Sequence, residues 1–113
     1  MKLSKELIKG SSAMLVLGVL DGSEMYGYQI IKELERRSEN VFSMKEGTLY
    51  PILHALESEG YVTAYWEETE SARKRKYYRI TDKGRRELLR QREEFEVYSG
   101  AVGKVLGGAL SGA

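Results

Sequence analysis

The chain has 113 residues, 18 Lys and Arg against 17 Asp and Glu, a formal net charge of +1, and 42% hydrophobic residues. That balance suits one folded domain rather than a disordered chain. The absence of cysteine excludes disulfides, thiol catalysis and the usual structural zinc sites, and the single histidine, His54, excludes a multi-histidine metal site within one chain.

Leu3, Leu7 and Ile8 mark a short amphipathic segment, which Gly10-Ser11-Ser12 weakens or re-caps. Ala13–Leu20 is apolar nearly all round. A helix there is buried on several sides, as the central helix of a small domain or against a second subunit. The stretch is too short to cross a membrane, and no convincing small-residue cleavage site follows it, so the expected location is the cytoplasm. Asp21-Gly22 stops it.

Ser23 is the expected N-cap of a second helix over Met25–Ser38, with Gly27, Ile31, Leu34 and Ser38 on one face and Ile30 beside them. Gly27 within a helix costs about 1 kcal/mol against Ala, which a close helix crossing or an approach to a phosphate would justify. Val41 and Phe42 are expected to dip into the core. Ser43 and Glu46 have capping-box spacing, so a third helix is expected from there to about Glu59. Leu49, Ile52, Leu53 and Leu56 form its buried stripe; Gly47, Tyr50, Pro51, His54 and Ser58 lie opposite. Pro51 conflicts with a regular helix interior, so either the first turn is irregular or the helix starts later than the box suggests.

Gly60 ends that helix. Tyr61–Trp66 and Lys76–Thr81 read as an antiparallel hairpin joined by a loop over Glu67–Lys74. Thr81 or Asp82 caps a last helix that runs through Tyr98 and as far as Leu106. Leu88, Phe95 and Val102 recur every seven residues, each followed three positions later by Gln91, Tyr98 or Val105. Such a seam is too long for a three-helix head to cover and calls for a second chain. Gly107–Ala113 reads as a frayed tail.

Ten of the 18 Lys and Arg residues fall between Arg73 and Arg92, opposed there only by Asp82 and Glu87. This local excess is a footprint for a polyanion, although a solvated helix face explains Arg85–Arg92 equally well.

Three helices, a hairpin and a long helix make a mainly α protein with a β-hairpin wing. This is a winged helix-turn-helix over residues 1–81 followed by a C-terminal dimerisation helix and tail over residues 82–113. Four spaced motifs carry a more specific likeness: Tyr26-Gly27-Tyr28-Gln29-Ile30; Glu46-Gly47-Thr48-Leu49-Tyr50-Pro51; Leu53, Leu56-Glu57 and Gly60; and Arg75-Lys76-Tyr77-Tyr78-Arg79-Ile80-Thr81 with Gly84. In this order they closely resemble the PadR family of bacterial transcriptional regulators, over about residues 5–98. The single short C-terminal helix, and Trp66 after Tyr65, resemble its compact subfamily, some of whose members bind aromatic or multidrug-like ligands at the dimer centre. The wing departs from the family's pattern, since Thr69-Glu70-Ser71-Ala72 lacks the glycines common there.

The architecture and the resemblance together imply a homodimeric, sequence-specific regulator, a repressor relieved by a small effector, with a double-stranded DNA operator and a second copy of itself as partners. Helix three would enter the major groove through Lys45, Thr48, Tyr50, Pro51 and His54, at half-sites roughly 34 Å apart. Tyr50 is either a phosphate ligand or a partly packed aromatic. Tyr26 either bonds a flanking phosphate or packs against the wing. Arg73, Lys74, Arg75 and Lys76 would follow the backbone or the minor groove. Of Tyr77 and Tyr78, strand alternation places one in the core. Leu7, Met14, Leu88, Phe95, Tyr98 and Val102 are the expected dimer contacts. Phe95 and Met14 are also the candidate effector residues, with plain dimer core the preferred reading of Phe95. No nucleophile, metal or nucleotide constellation is present, so neither an enzyme nor a cofactor is expected. Two alternatives stand beside this reading: a winged-helix protein-interaction module, and a ligand-sequestering dimer without specific DNA binding.

Overall fold

One short apolar helix lies at the centre of the molecule. In this computed structural model, which describes residue 1 and residues 3–108, helix α2 (Ser12–Leu20) touches α3, α4, α5 and β3. Val16, Leu17, Val19 and Leu20 are buried, as the all-round apolar pattern requires. The short α1 (Lys5–Lys9) precedes it, capped by the Ser4 hydroxyl, which accepts from the Leu7 N–H at 3.2 Å. The buried Ser12 hydroxyl donates to the Ile8 carbonyl at 2.9 Å, joining the two helices.

The remaining elements are β1 (Met25–Tyr26), α3 (Gly27–Arg37), α4 (Glu46–Ser58), β2 (Val62–Glu68), β3 (Lys74–Ile80) and α5 (Asp82–Val105). The sheet has three strands in the order β1-β3-β2, all antiparallel. Met25 and Tyr26, expected inside the second helix, instead pair with Tyr78 and Tyr77. Ser23 therefore caps nothing, and α3 begins at Gly27.

The Ser43–Glu46 capping box does not form. Lys45 is the residue before α4, with extended φ −94° and ψ 160°. Met44, between the two box residues, is instead buried in the core, and the extended Lys45 follows it. Met44 also takes the place expected for Val41, which is exposed; Phe42 is half-buried, with its N–H bonded to the Ser38 hydroxyl at 3.0 Å. The helix starts later than the box suggests, yet Pro51 still lies inside it. Pro51 sits in the second turn, where its missing N–H leaves the Gly47 carbonyl without a helical partner. Both residues are exposed, so that carbonyl lies on the solvent side of the helix.

Helix α4 ends as expected at Gly60, whose φ is +78°. The Gly60 N–H bonds the Glu57 carbonyl at 3.0 Å and the Tyr61 N–H bonds the Leu56 carbonyl at 2.9 Å, a Schellman closure. Helix α5 closes the same way at Gly107, φ +86°, with Gly107 bonded to Lys104 and Gly108 to Gly103. Those two residues of the expected frayed tail are thus a helix cap, while residues 109–113 lie outside the described residues. At its other end, α5 is capped by the Thr81 hydroxyl, which accepts from the Gly84 N–H at 3.0 Å.

The candidate nucleic-acid interface

Helix α4 divides cleanly into two sides. Leu49 and Leu53 are fully buried and Leu56 nearly so, while Ile52 is half-covered. Lys45, Thr48, Tyr50, Pro51 and His54 are all exposed on the helix or at its start. The side chain of Lys45 provides no cap, so the first N–H groups of α4 have no side-chain partner. The 3.6-residue period predicts this division; periodicity alone does not show what holds Tyr50.

Tyr50 is 37% exposed, and its ring lies over the first residue of α3. A β-carbon on Gly27 would stand 2.6 Å from the Tyr50 hydroxyl and 3.0 Å from its Cζ. The glycine in the second expected helix is thus explained by a close approach, made by a side chain of α4.

The wing lies alongside. Register places Val62, Ala64, Trp66 and Glu68 opposite Ile80, Tyr78, Lys76 and Lys74 on one face. On the other face, Thr63, Tyr65 and Glu67 oppose Arg79, Tyr77 and Arg75. Tyr78 is the core tyrosine, and burial pushes its hydroxyl above the ordinary range. Tyr77 stays half-exposed, stacked on Tyr65 with centroids 5.6 Å apart and met edge-on by Tyr26 at 5.4 Å. Tyr26 therefore packs against the wing. Glu24 accepts a hydrogen bond from the Tyr65 hydroxyl, which holds that phenol up to about 12, and also pairs with Arg79 at 3.4 Å.

The four expected wing cations do not form one cluster. Arg73 lies in the turn and Lys74 faces Glu68 across the ladder. The Arg75 guanidinium sits 4.5 Å from the centre of the Tyr26 ring on the outer face. Lys76, on the inner face, pairs with Glu57 of α4 at 3.7 Å and lies over Tyr78. Among the described residues, Arg73 and Lys74 form no ion pair. The turn that lacks glycine bends all the same, with Ala72 at φ +60° and the Thr69 N–H bonded to the Arg73 carbonyl at 2.9 Å.

The expected dimer and effector residues fall in two neighbouring places. Met14, Leu88 and Phe95 meet in an open groove of about 470 Å³ between α2, the end of α3 and α5, edged by Arg37 and Arg92. Leu88 is buried there, whereas Phe95 is 49% exposed. Tyr98 and Val102 continue along α5 beyond the groove, with Tyr98 exposed. Leu7 projects from α1 and is exposed.

A helix pair whose second helix turns a polar side outward beside a β-hairpin is a winged helix-turn-helix. Comparison with known proteins makes the class specific. The model of the transcriptional regulator PadR-like family matches residues 16–90, and the chain belongs to that family. A PadR family transcriptional regulator from Eggerthella lenta superposes with a TM-score of 0.81 at 37% identity, covering 90% of this chain and 87% of that one. A transcriptional regulator from Clostridium thermocellum gives 0.83 at 31% identity, covering 88% and 97%. The negative transcriptional regulator PadR of Bacillus subtilis is 32% identical over 73 residues, which are 65% of this chain but only 40% of that longer protein. The protein is thus a transcriptional regulator, of a family of regulators rather than enzymes. No described helix is long and apolar enough to cross a membrane.

Proposed function

We propose that the protein is a homodimeric repressor that reads duplex DNA with α4 and the wing and is released by a small apolar or aromatic effector. The observation that carries this is the division of α4: a buried leucine stripe fixes the helix, and Lys45, Thr48, Tyr50, Pro51 and His54 are presented on its free side. Polar and aromatic groups on an exposed second helix are what a major groove accepts. Arg73 and Lys74 at the wing tip add phosphate ligands.

In this reading residues 1–81 form the DNA-binding head and residues 82–113 the assembly helix and tail. The exposure of Phe95, Val97, Tyr98 and Val105 on α5 supports pairing through that helix, because a lone soluble chain rarely leaves so much apolar surface open. The groove at Met14 and Phe95 supports the effector. Repression is supported by the likeness to a negative regulator.

Selection of duplexes from a random pool, at two salt concentrations, tests the proposal. An enriched inverted repeat is expected. One specific observation favours a protein-interaction module instead: Glu67 and Glu68 stand directly opposite Arg75 and Lys74 and offset the charge of the wing. Recovery without enrichment, vanishing at the higher salt, would select that reading.

A further inference from the structure

We infer that Gly27 is a positioning residue for DNA binding, acting through Tyr50; the inference rests on the DNA-binding reading above. Three observations converge on it. Gly27 is the buried first residue of α3, at the position where the chain leaves the sheet. Tyr50 extends from the free side of α4, and its ring end lies on Gly27 so closely that a β-carbon would stand 2.6 Å from the hydroxyl. That hydroxyl enters none of the side-chain hydrogen bonds formed among the described residues, so no polar group among them fixes it.

The absence of a side chain at Gly27 therefore fixes Tyr50. The hydroxyl end of the phenol occupies the space that a side chain at residue 27 would fill, and this close approach sets where the hydroxyl lies. A phosphate that receives this hydroxyl must meet the first turn of α3 and the second turn of α4 together. Gly27 thus ties the two helices of the helix-turn-helix to one point on the DNA backbone without touching DNA through a side chain.

The nearest atoms that a methyl group at residue 27 would meet all belong to the far end of one rotatable side chain, Tyr50. Tyr50 swings away, the fold survives, and α3 gains from exchanging glycine for alanine. The hydroxyl then no longer reaches the phosphate, and a charge-assisted hydrogen bond of ordinary strength corresponds to about a tenfold change in affinity.

The test is a double-mutant cycle. Binding of a fluorescent duplex, the one enriched from a random pool or otherwise a duplex of about 30 mixed-sequence base pairs at low salt, is measured for the wild type, Gly27→Ala, Tyr50→Ala and the double variant. Gly27→Ala is expected to weaken binding about tenfold in the presence of Tyr50 and less than about twofold in its absence, with the helical circular dichroism unchanged. An equal loss in both backgrounds would mean that Gly27 acts independently of Tyr50, and an unweakened Gly27→Ala would mean that the seat is irrelevant; either overturns the inference. If Gly27→Ala lowers the melting midpoint, the double variant is expected to restore it, and a failure to do so also counts against the inference. A wild type that binds no duplex removes the DNA-binding reading itself, an outcome visible before any variant is compared.

Discussion

The α-carbon of Gly84 lies against the carbonyl oxygen of Tyr61, so closely that a β-carbon on Gly84 would stand 2.1 Å from that oxygen. The same oxygen accepts the Thr81 N–H at 3.0 Å, and Lys83 reaches the Glu59 carbonyl at 2.7 Å. The end of α4 and the start of α5 are thus joined backbone to backbone. Gly84→Ala must push this joint apart, because the obstacle is main chain and cannot rotate away. The expected cost is about 2–3 kcal/mol, read as a fall in melting midpoint on the order of 10 °C. Gly100→Ala is the control: a β-carbon there would meet nothing within 4 Å, and a slight rise is expected.

The wing makes a separate prediction. Arg75 is committed to the Tyr26 ring and Lys76 to Glu57, which leaves Arg73 and Lys74 as the cations available to phosphate. Replacing both by alanine should make the slope of log affinity against log salt shallower by about 0.9 for each phosphate no longer neutralised. Replacing Lys76 alone should change that slope much less. A duplex-binding titration over a salt series checks both, and an unchanged slope for the Arg73 and Lys74 variant would remove the wing tip from the interface.

Phe95 and Tyr98 are exposed on α5, so charging them leaves the single chain's core intact. Phe95→Glu with Tyr98→Glu is expected to halve the mass seen by sedimentation, from twice 12.8 kDa to 12.8 kDa, while helical content persists. A wild type that sediments as one chain, or a variant that still pairs, would place assembly elsewhere.

Two glutamates give an acid prediction. Hydrogen bonds from Arg36 and then Arg37 hold Glu33 down to about 2, and bonds from Arg90 and then Gln91 do the same for Glu87. Both carboxyls are depressed in the folded chain, so their contribution is complete above the usual glutamate range of about 4.3 and is lost as the pH falls through about 2. In the unfolded chain they take up protons first, which pulls the equilibrium toward unfolding. Glu33→Gln with Glu87→Gln should flatten the decline of the melting midpoint between about pH 5 and pH 2, and high salt should reduce the difference because these pairs meet solvent. An identical pH profile for the variant and the wild type would contradict this.

What the sequence discloses, and what it withholds, follows from the range of the forces involved. The leucine stripe of α4, the Gly60 stop and the Thr81 cap are local patterns, and each is legible. Met25 and Tyr26 read as helix because a two-residue strand exists only by pairing with Tyr77 and Tyr78, far along the chain. The Ser43–Glu46 box has the right local spacing, but it is overridden by Met44, whose burial depends on the assembled core. The division of the wing cations between two faces depends on register, which composition does not carry. The seat of Tyr50 on Gly27 is signalled only by an otherwise costly glycine in a helix.

Helix α5 has one further mechanical consequence. It leaves the wing through the rigid Tyr61–Gly84 joint and runs 24 residues, about 36 Å. Whatever grips its distal face holds the winged-helix head by a long helical shaft, so the shaft's length and phase set where the head points. One residue inserted after Gln91 would advance the distal face by about 1.5 Å and turn it by about 100°, whereas four would nearly restore its phase. The molecule is thus geared: small changes in the shaft become large changes in the bearing of α4.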